Sequence, residues 1–200
     1  SYVGGAADTP SRGEPRFAGA SSVAFATKGA FMGKFTVTHE INCDVETFWK
    51  TFFDKDFNDK LFLQTLGFPE FKVIEQNDTT AKLTRKVMGQ PKMDLPGPVA
   101  KLLGANFRFT EEGTWDKTSK VWTFKMIPST LADKLRQEGT MRIESIGPTK
   151  VRRVAELFIE AKVFGVGGLI ESTTEKQLRD GWDKSAVFMN RYLADKAGKA

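Results

Sequence analysis

Few side chains in this sequence could do covalent chemistry. There is one histidine, His39, and one cysteine, Cys43, so the usual nucleophile–base–orienter set cannot be assembled. His39 lies in an alternating stretch, Lys34-Phe-Thr-Val-Thr-His-Glu-Ile41, on the side carrying Phe35, Val37 and Ile41. Glu40 points the other way, so the two are not an acid–base pair within one strand. A zinc site would need carboxylates or a second chain to complete it, and neither metal nor cofactor is expected. A single cysteine excludes an internal disulfide and makes a reducing compartment the default. Phe164-Gly-Val-Gly-Gly168 is glycine-rich like a phosphate loop but lacks its Gly-Lys-Ser/Thr ending and the dinucleotide spacing. What remains is recognition. Arg85 shares a strand face with Leu83 and Val87, where a guanidinium calls for a carboxylate such as Glu156 or for an anionic head group.

The element that must hold these groups is the stretch from Ala161 to Ala194. Gly165, Gly167 and Gly168 make a corner, with positive φ expected there, and an amphipathic helix follows. Leu178, Trp182, Ser185, Ala186, Met189 and Leu193 recur at helical spacing and form a mostly apolar stripe. A rod of ~25 residues and ~38 Å is not stable alone in water, so the stripe must lie on a large partner. That partner is a sheet. The first strand is Lys34–Ile41. Two short Phe-rich helices follow, over Val45–Phe53 and Lys55–Leu66, ended by Gly67-Phe68-Pro69. Three hairpins come next: 71–75 with 81–87, 107–115 with 121–127, and 135–146 with 151–163. About seven strands joined by tight turns must be antiparallel, and the class is α+β. One connection is long: Met88–Asn106 holds Pro91, Pro96, Pro98 and three glycines around Val99, Leu102 and Leu103. Loops of this length usually have a function of their own.

With 200 residues and 40% apolar content, the chain fits one domain with a sizeable core. Seventeen Phe against two Tyr favour plain apolar volume over hydrogen-bonding aromatics. The net charge of +5 is dispersed, without a basic block, so nucleic acid is not an expected partner. No run of 18 apolar residues occurs, and no transmembrane helix is expected. Residues 1–33, rich in Gly, Pro, Ala and Ser, read as a disordered extension, either an upstream segment or part of an organellar transit sequence. The folded domain is expected over 34–196, in the cytoplasm unless 1–31 is such a transit sequence.

The order strand, two helices, six strands, long helix resembles the helix grip of the START-like (SRPBCC) superfamily. Phe35-Thr-Val-Thr-His-Glu-Ile41 with Asp44-Val-Glu-Thr-Phe-Trp49, and the corner Val163–Glu171, are similar to the domain of unknown function 2505 family. The likeness covers roughly Lys34–Leu193. It implies a curved antiparallel sheet wrapped around the C-terminal helix and a hydrophobic ligand, a lipid above all, held between them. On that basis the cavity walls would be Phe109, Trp122, Phe124, Met141, Trp182 and Met189, with His39 and Arg85 as polar contacts. Val99, Leu102 and Leu103 would form the lid, and the protein would act as a monomer in binding, and in transfer with transient membrane contact, rather than as an enzyme. Two alternatives stay open: a polyketide cyclase or aromatase, needing His39, Arg85 and Glu156 to converge inward, and a protein-binding domain with a collapsed cavity.

Overall fold

The computed structural model describes residues 33–198, so the expectations for the N-terminal extension lie outside the described residues. Seven strands form one antiparallel sheet in the order β1-β7-β6-β5-β4-β3-β2. They are β1 (Gly33–Ile41), β2 (Glu70–Asp78), β3 (Lys82–Gln90), β4 (Phe109–Asp116), β5 (Val121–Pro128), β6 (Leu135–Gly147) and β7 (Lys150–Ala161). Consecutive strands from β2 to β7 are neighbours, across the long β3–β4 connection as well as across the tighter turns, and β1 closes onto β7 with Phe35 opposite Leu157 and Ile41 opposite Val151. The expected class and topology are those observed.

Between β1 and β2 run α1 (Val45–Phe52) and α2 (Lys55–Asp59), the latter continuing as a π-helical turn over Lys60–Thr65. Each helix starts on an aspartate cap. Asp44 accepts from the Thr47 amide and Asp54 from the Phe57 amide, both at 2.8 Å. Nothing in the residue spacing announces the π turn. It shows as the Leu66 amide donating to the Leu61 carbonyl at 2.8 Å, and it lays Phe62 flat on Phe71 with ring centroids 4.0 Å apart.

The long connection after β3 contains α3 (Gly97–Leu103), and α4 (Gly167–Ala197) is 31 residues long. α4 lies on β1 and β7, burying Ala186, Met189 and Tyr192 in the main core together with Phe35, Val37, Leu157 and Met141. The glycine corner works differently from the expectation. Of its glycines, Gly165 alone has positive φ, at 78°. Gly167 already belongs to the helix, and a β-carbon there would stand 2.3 Å from the Ala161 carbonyl oxygen. Close approach of two chain segments, not a left-handed backbone, is what excludes a side chain at that position.

Candidate functional site

One row across the inner face of the sheet determines the shape of the interior. In register it runs Arg85, Gly113, Phe124, Gly139, Leu157 and Phe35. The two glycines are where aromatic rings lie down on the backbone. A β-carbon on Gly113 would fall 1.9 Å from Trp122 Cζ2, and one on Gly139 would fall 2.8 Å from Phe124 Cζ. Gly89 receives Phe109 in the same way, at 2.7 Å. The rings from β4 and β5 therefore occupy space next to the sheet itself.

Against them α1 brings Trp49 and Phe52, and Phe53 follows at its end, spaced so that all three meet the sheet. Trp49 packs on Trp115 at 4.9 Å, and Phe52 and Phe53 meet Trp122 edge-on at 5.6 and 5.5 Å. Inside this aromatic box sits Arg85, only 6% exposed. Its guanidinium lies over Phe52, Trp122 and Phe53 at 4.6, 5.2 and 5.4 Å. Nη1 donates to the Phe52 carbonyl at 3.1 Å, while Glu111 Oε1 is 3.7 Å from Nη2, close enough for charge attraction but too far for a hydrogen bond. Burial pushes the Glu111 carboxyl up from its ordinary value and the nearby guanidinium opposes the shift. Arg85 is pushed down by the same burial but stays cationic, because arginine does not lose its proton in proteins.

Several donors of the box are left without a partner. Arg85 Nε, Trp49 Nε1 and Trp115 Nε1 are all buried without a hydrogen-bond partner among the described residues. Orphan buried donors are uncommon because each carries its desolvation cost uncompensated. An acceptor-bearing guest would satisfy such donors.

A second polar group holds α4 to the sheet. Arg153, 3% exposed, donates to Ser185 Oγ at 3.0 Å, to the Trp182 carbonyl at 2.8 Å and to His39 Nδ1 at 3.1 Å. A guanidinium can only donate, so His39 Nδ1 is an acceptor and its proton sits on Nε2, donating to Asp183 at 2.7 Å. His39 is thus one link in a clasp between β1, β7 and α4, with burial first and then the Arg153 charge lowering its pKa, opposed by Asp183.

The structure brings some of the expected residues together and separates others. Trp122, Phe124, Met141 and Met189 share the main core, and Trp182 packs at its edge, 6.4 Å from Phe124. Phe109 stands apart near Phe68. Val99 and Leu103 are buried in a small satellite core with Ala161 and Ile170, whereas Leu102 is 37% exposed. The pairing anticipated between Arg85 and Glu156 is not made. Glu156 lies on the outer face with Lys34 and Arg142, and Glu111 takes its place beside Arg85. His39, Arg85 and Glu156 consequently do not converge. Trp49, Glu111 and Arg153 are the polar members that sequence reasoning misses. Strand phase carries a signal for two of them: Glu111 alternates in step with Phe109, Gly113 and Trp115, and Arg153 with Val151, Ala155 and Leu157.

A hollow of ≈ 780 Å³ lies on the side of the sheet turned away from α4. Thr84, Thr114, Thr123 and Thr140 stand in register along one wall, and Lys86, Glu112, Lys125 and Glu138 along the other. Glu112 pairs with Lys86 at 3.2 Å and Lys125 at 3.1 Å, so this wall has much of its charge already matched.

Comparison with known proteins agrees with this architecture. The protein TTHA0849 from Thermus thermophilus superposes with a TM-score of 0.57 at 18% identity, covering 82% of this chain and 99% of that one. The Zhui aromatase/cyclase from Streptomyces sp. R1128 gives 0.56 at 9% identity over 81% and 96%. Norcoclaurine synthase from Thalictrum flavum, in complex with dopamine and hydroxybenzaldehyde, gives 0.52 at 13% over 82% and 88%. At these identities the likeness is one of fold. A comparison with curated proteins finds no match. The sequence does match a family model over residues 36–193: the chain belongs to the family described as protein of unknown function (DUF2505), and its fold is a helix grip.

Proposed function

We propose that this protein binds a hydrophobic ligand carrying an anionic or carbonyl-rich head group, a fatty-acid-like lipid being the simplest case. The head group lies at Arg85 in the aromatic box, and the apolar body takes the place of box and core side chains between the sheet and α4. The observation that carries this reading is the donor excess around Arg85. A buried cation with a single hydrogen bond among the described residues, on the same Phe52 and Phe53 rings against which Trp49 and Trp115 pack with unpartnered indole N–H groups, is matched to an acceptor. The aromatic rings and Met141, Met189 and Leu157 supply a wall that favours apolar contact. Binding then requires the rings over Gly113 and Gly139 to swing aside, so uptake is slow relative to diffusion.

The test compares a fluorescent fatty acid with its methyl ester by titration. Wild-type protein is expected to favour the acid by about tenfold or more, the worth of a hydrogen bond to a charged group. In Arg85→Met that preference disappears while the ester still binds. Equal affinity of the wild type for acid and ester would sink the assignment of the head-group site.

A second reading rests on Glu111, the acid that burial lifts toward its protonated form inside the same box. A carboxyl group poised in this way can move a proton, as a cyclase acting on a polyketide-like substrate requires. Turnover of a poly-β-ketone mimic that is lost in Glu111→Gln, with binding kept, would favour it.

A further inference from the structure

The turn between β7 and α4 carries a side chain that the fold makes no use of. Phe164 is fully exposed, while its neighbours Val163 and Val166 pack inward on the satellite core. The turn is built to hold that arrangement. The Gly167 amide donates to the Val163 carbonyl at 2.8 Å, the Lys162 amide to the Lys134 carbonyl at 2.8 Å, and Glu171 accepts from the Ala161 amide at 2.8 Å. Gly165 takes the left-handed conformation directly after the phenylalanine. A tight, well-bonded turn with its largest apolar side chain pointing out is not what a solvated loop needs.

Two more exposed apolar side chains flank the same satellite core. Leu102 is on α3 next to buried Leu103, and Leu169, 40% exposed, is in the first turn of α4 next to buried Ile170. Lys101 and Lys134, both exposed, stand beside them without ion-pair partners among the described residues, and Lys162 adjoins the turn itself. We infer that Phe164, with Leu102 and Leu169, is a tip that inserts into the interfacial region of an anionic lipid bilayer, with Lys101 and Lys134 contacting the head groups. The exposed apolar side chains here are few, which suits a fluid interface. A protein partner would call for a broad complementary patch. Aromatic and leucine side chains with lysines at their rim are the chemistry of interfacial anchoring. The inference deepens the lipid reading above by naming where the protein would meet the source of its ligand, and it can fail separately from it.

The experiment uses the full chain with an environment-sensitive fluorophore on Phe164→Cys, the native Cys43 being buried. Vesicles of phosphatidylcholine containing phosphatidylglycerol should raise and blue-shift the emission. The same probe on Val187→Cys, an exposed position on the later part of α4, should not respond. In vesicle flotation Phe164→Asp should lose roughly ten- to a hundredfold in membrane affinity, while its fatty-acid titration stays that of the wild type. Emission at position 164 unmoved by anionic vesicles, or Phe164→Asp floating like the wild type, overturns the inference. Insertion without any fatty-acid binding would leave the tip standing and remove the ligand assignment instead.

Discussion

Replacing Gly113 by alanine adds one methyl group at the point where the sheet and the aromatic box touch. The new β-carbon would lie 1.9, 2.2 and 2.7 Å from Trp122 Cζ2, Cη2 and Cε2. Carbon atoms pack at about 3.5–4.0 Å, so the ring must retreat by roughly 1.5 Å or more. It cannot do so freely, because Trp122 is 1% exposed and has Phe52 and Phe53 edge-on and the Arg85 guanidinium over its ring. Overpacking of this kind costs ~1–3 kcal/mol, and disturbing the cation–π contact adds ~0.5–2 kcal/mol. Alanine returns ~0.5–1 kcal/mol through lower backbone entropy in the unfolded chain. The net loss is about 0.5–4.5 kcal/mol, which for a domain of this size lowers the melting temperature by roughly 1–18 °C. Thermal unfolding followed by circular dichroism measures it, with Gly147→Ala as the control, since its nearest neighbour to a β-carbon is 3.9 Å away. Trp122→Leu in the Gly113→Ala background should recover part of the loss by making room. A Gly113→Ala protein that melts with or above the wild type would refute the account of ring-on-glycine packing.

Gly167→Ala should destabilise by ~2 kcal/mol or more, because the Ala161 carbonyl 2.3 Å away is backbone and cannot step aside, whereas Gly168→Ala meets open space and should be neutral or stabilising in urea melts. Leu103→Asp, which places a carboxylate in the satellite core, should lose several kcal/mol, while Leu102→Asp should keep the wild-type midpoint; equal effects would mean the two leucines are not divided between core and surface. For His39, burial and Arg153 hold the folded pKa below the ordinary 6.5, against Asp183. The unfolded chain therefore takes up the proton first as pH falls, so this contribution to stability is whole above pH 6.5 and is lost as pH drops from there through the folded pKa. Urea midpoints between about pH 7.5 and 5 should fall more steeply for the wild type than for His39→Gln, whose amide can still accept from Arg153 and donate to Asp183; parallel curves would exclude the clasp as the titrating element.

Strand alternation and helical spacing make the architecture legible. The phase that puts Phe35, Val37 and Ile41 on one face, and the stripe through Trp182 and Met189, reports local periodicity, and local periodicity is what survives in a one-dimensional string. The site is legible only in part. That Trp122 lies over Gly113 depends on the register of one hairpin, and that Arg85 faces Glu111 and not Glu156 depends on register between strands tens of residues apart, to both of which turn composition is nearly blind. The clasp of Arg153, His39 and Asp183 needs three elements to meet, and no spacing within one element encodes it. The role of Gly167 escapes a sequence reading for the same reason: its constraint comes from a carbonyl six residues earlier that reaches it only after the chain has turned. Leu102 and Leu103, adjacent in sequence, part ways because a helix of seven residues can turn only one of them inward.

The pairing of β1 with β7 has a consequence for synthesis. Ile41 finds its partner Val151, and Gly33 its partner Ile159, only after the remainder of the sheet has been made. At ~5–20 residues per second the ribosome needs about 5–20 s to cover that interval. Throughout it the strand bearing Phe35, Val37 and Ile41 has no edge to join, while β2 to β6 can zip hairpin by hairpin as they emerge. Folding is therefore committed late. A ribosome stalled before β7 would hold a five-stranded sheet with an open apolar face and an orphan strand, a natural client for a chaperone.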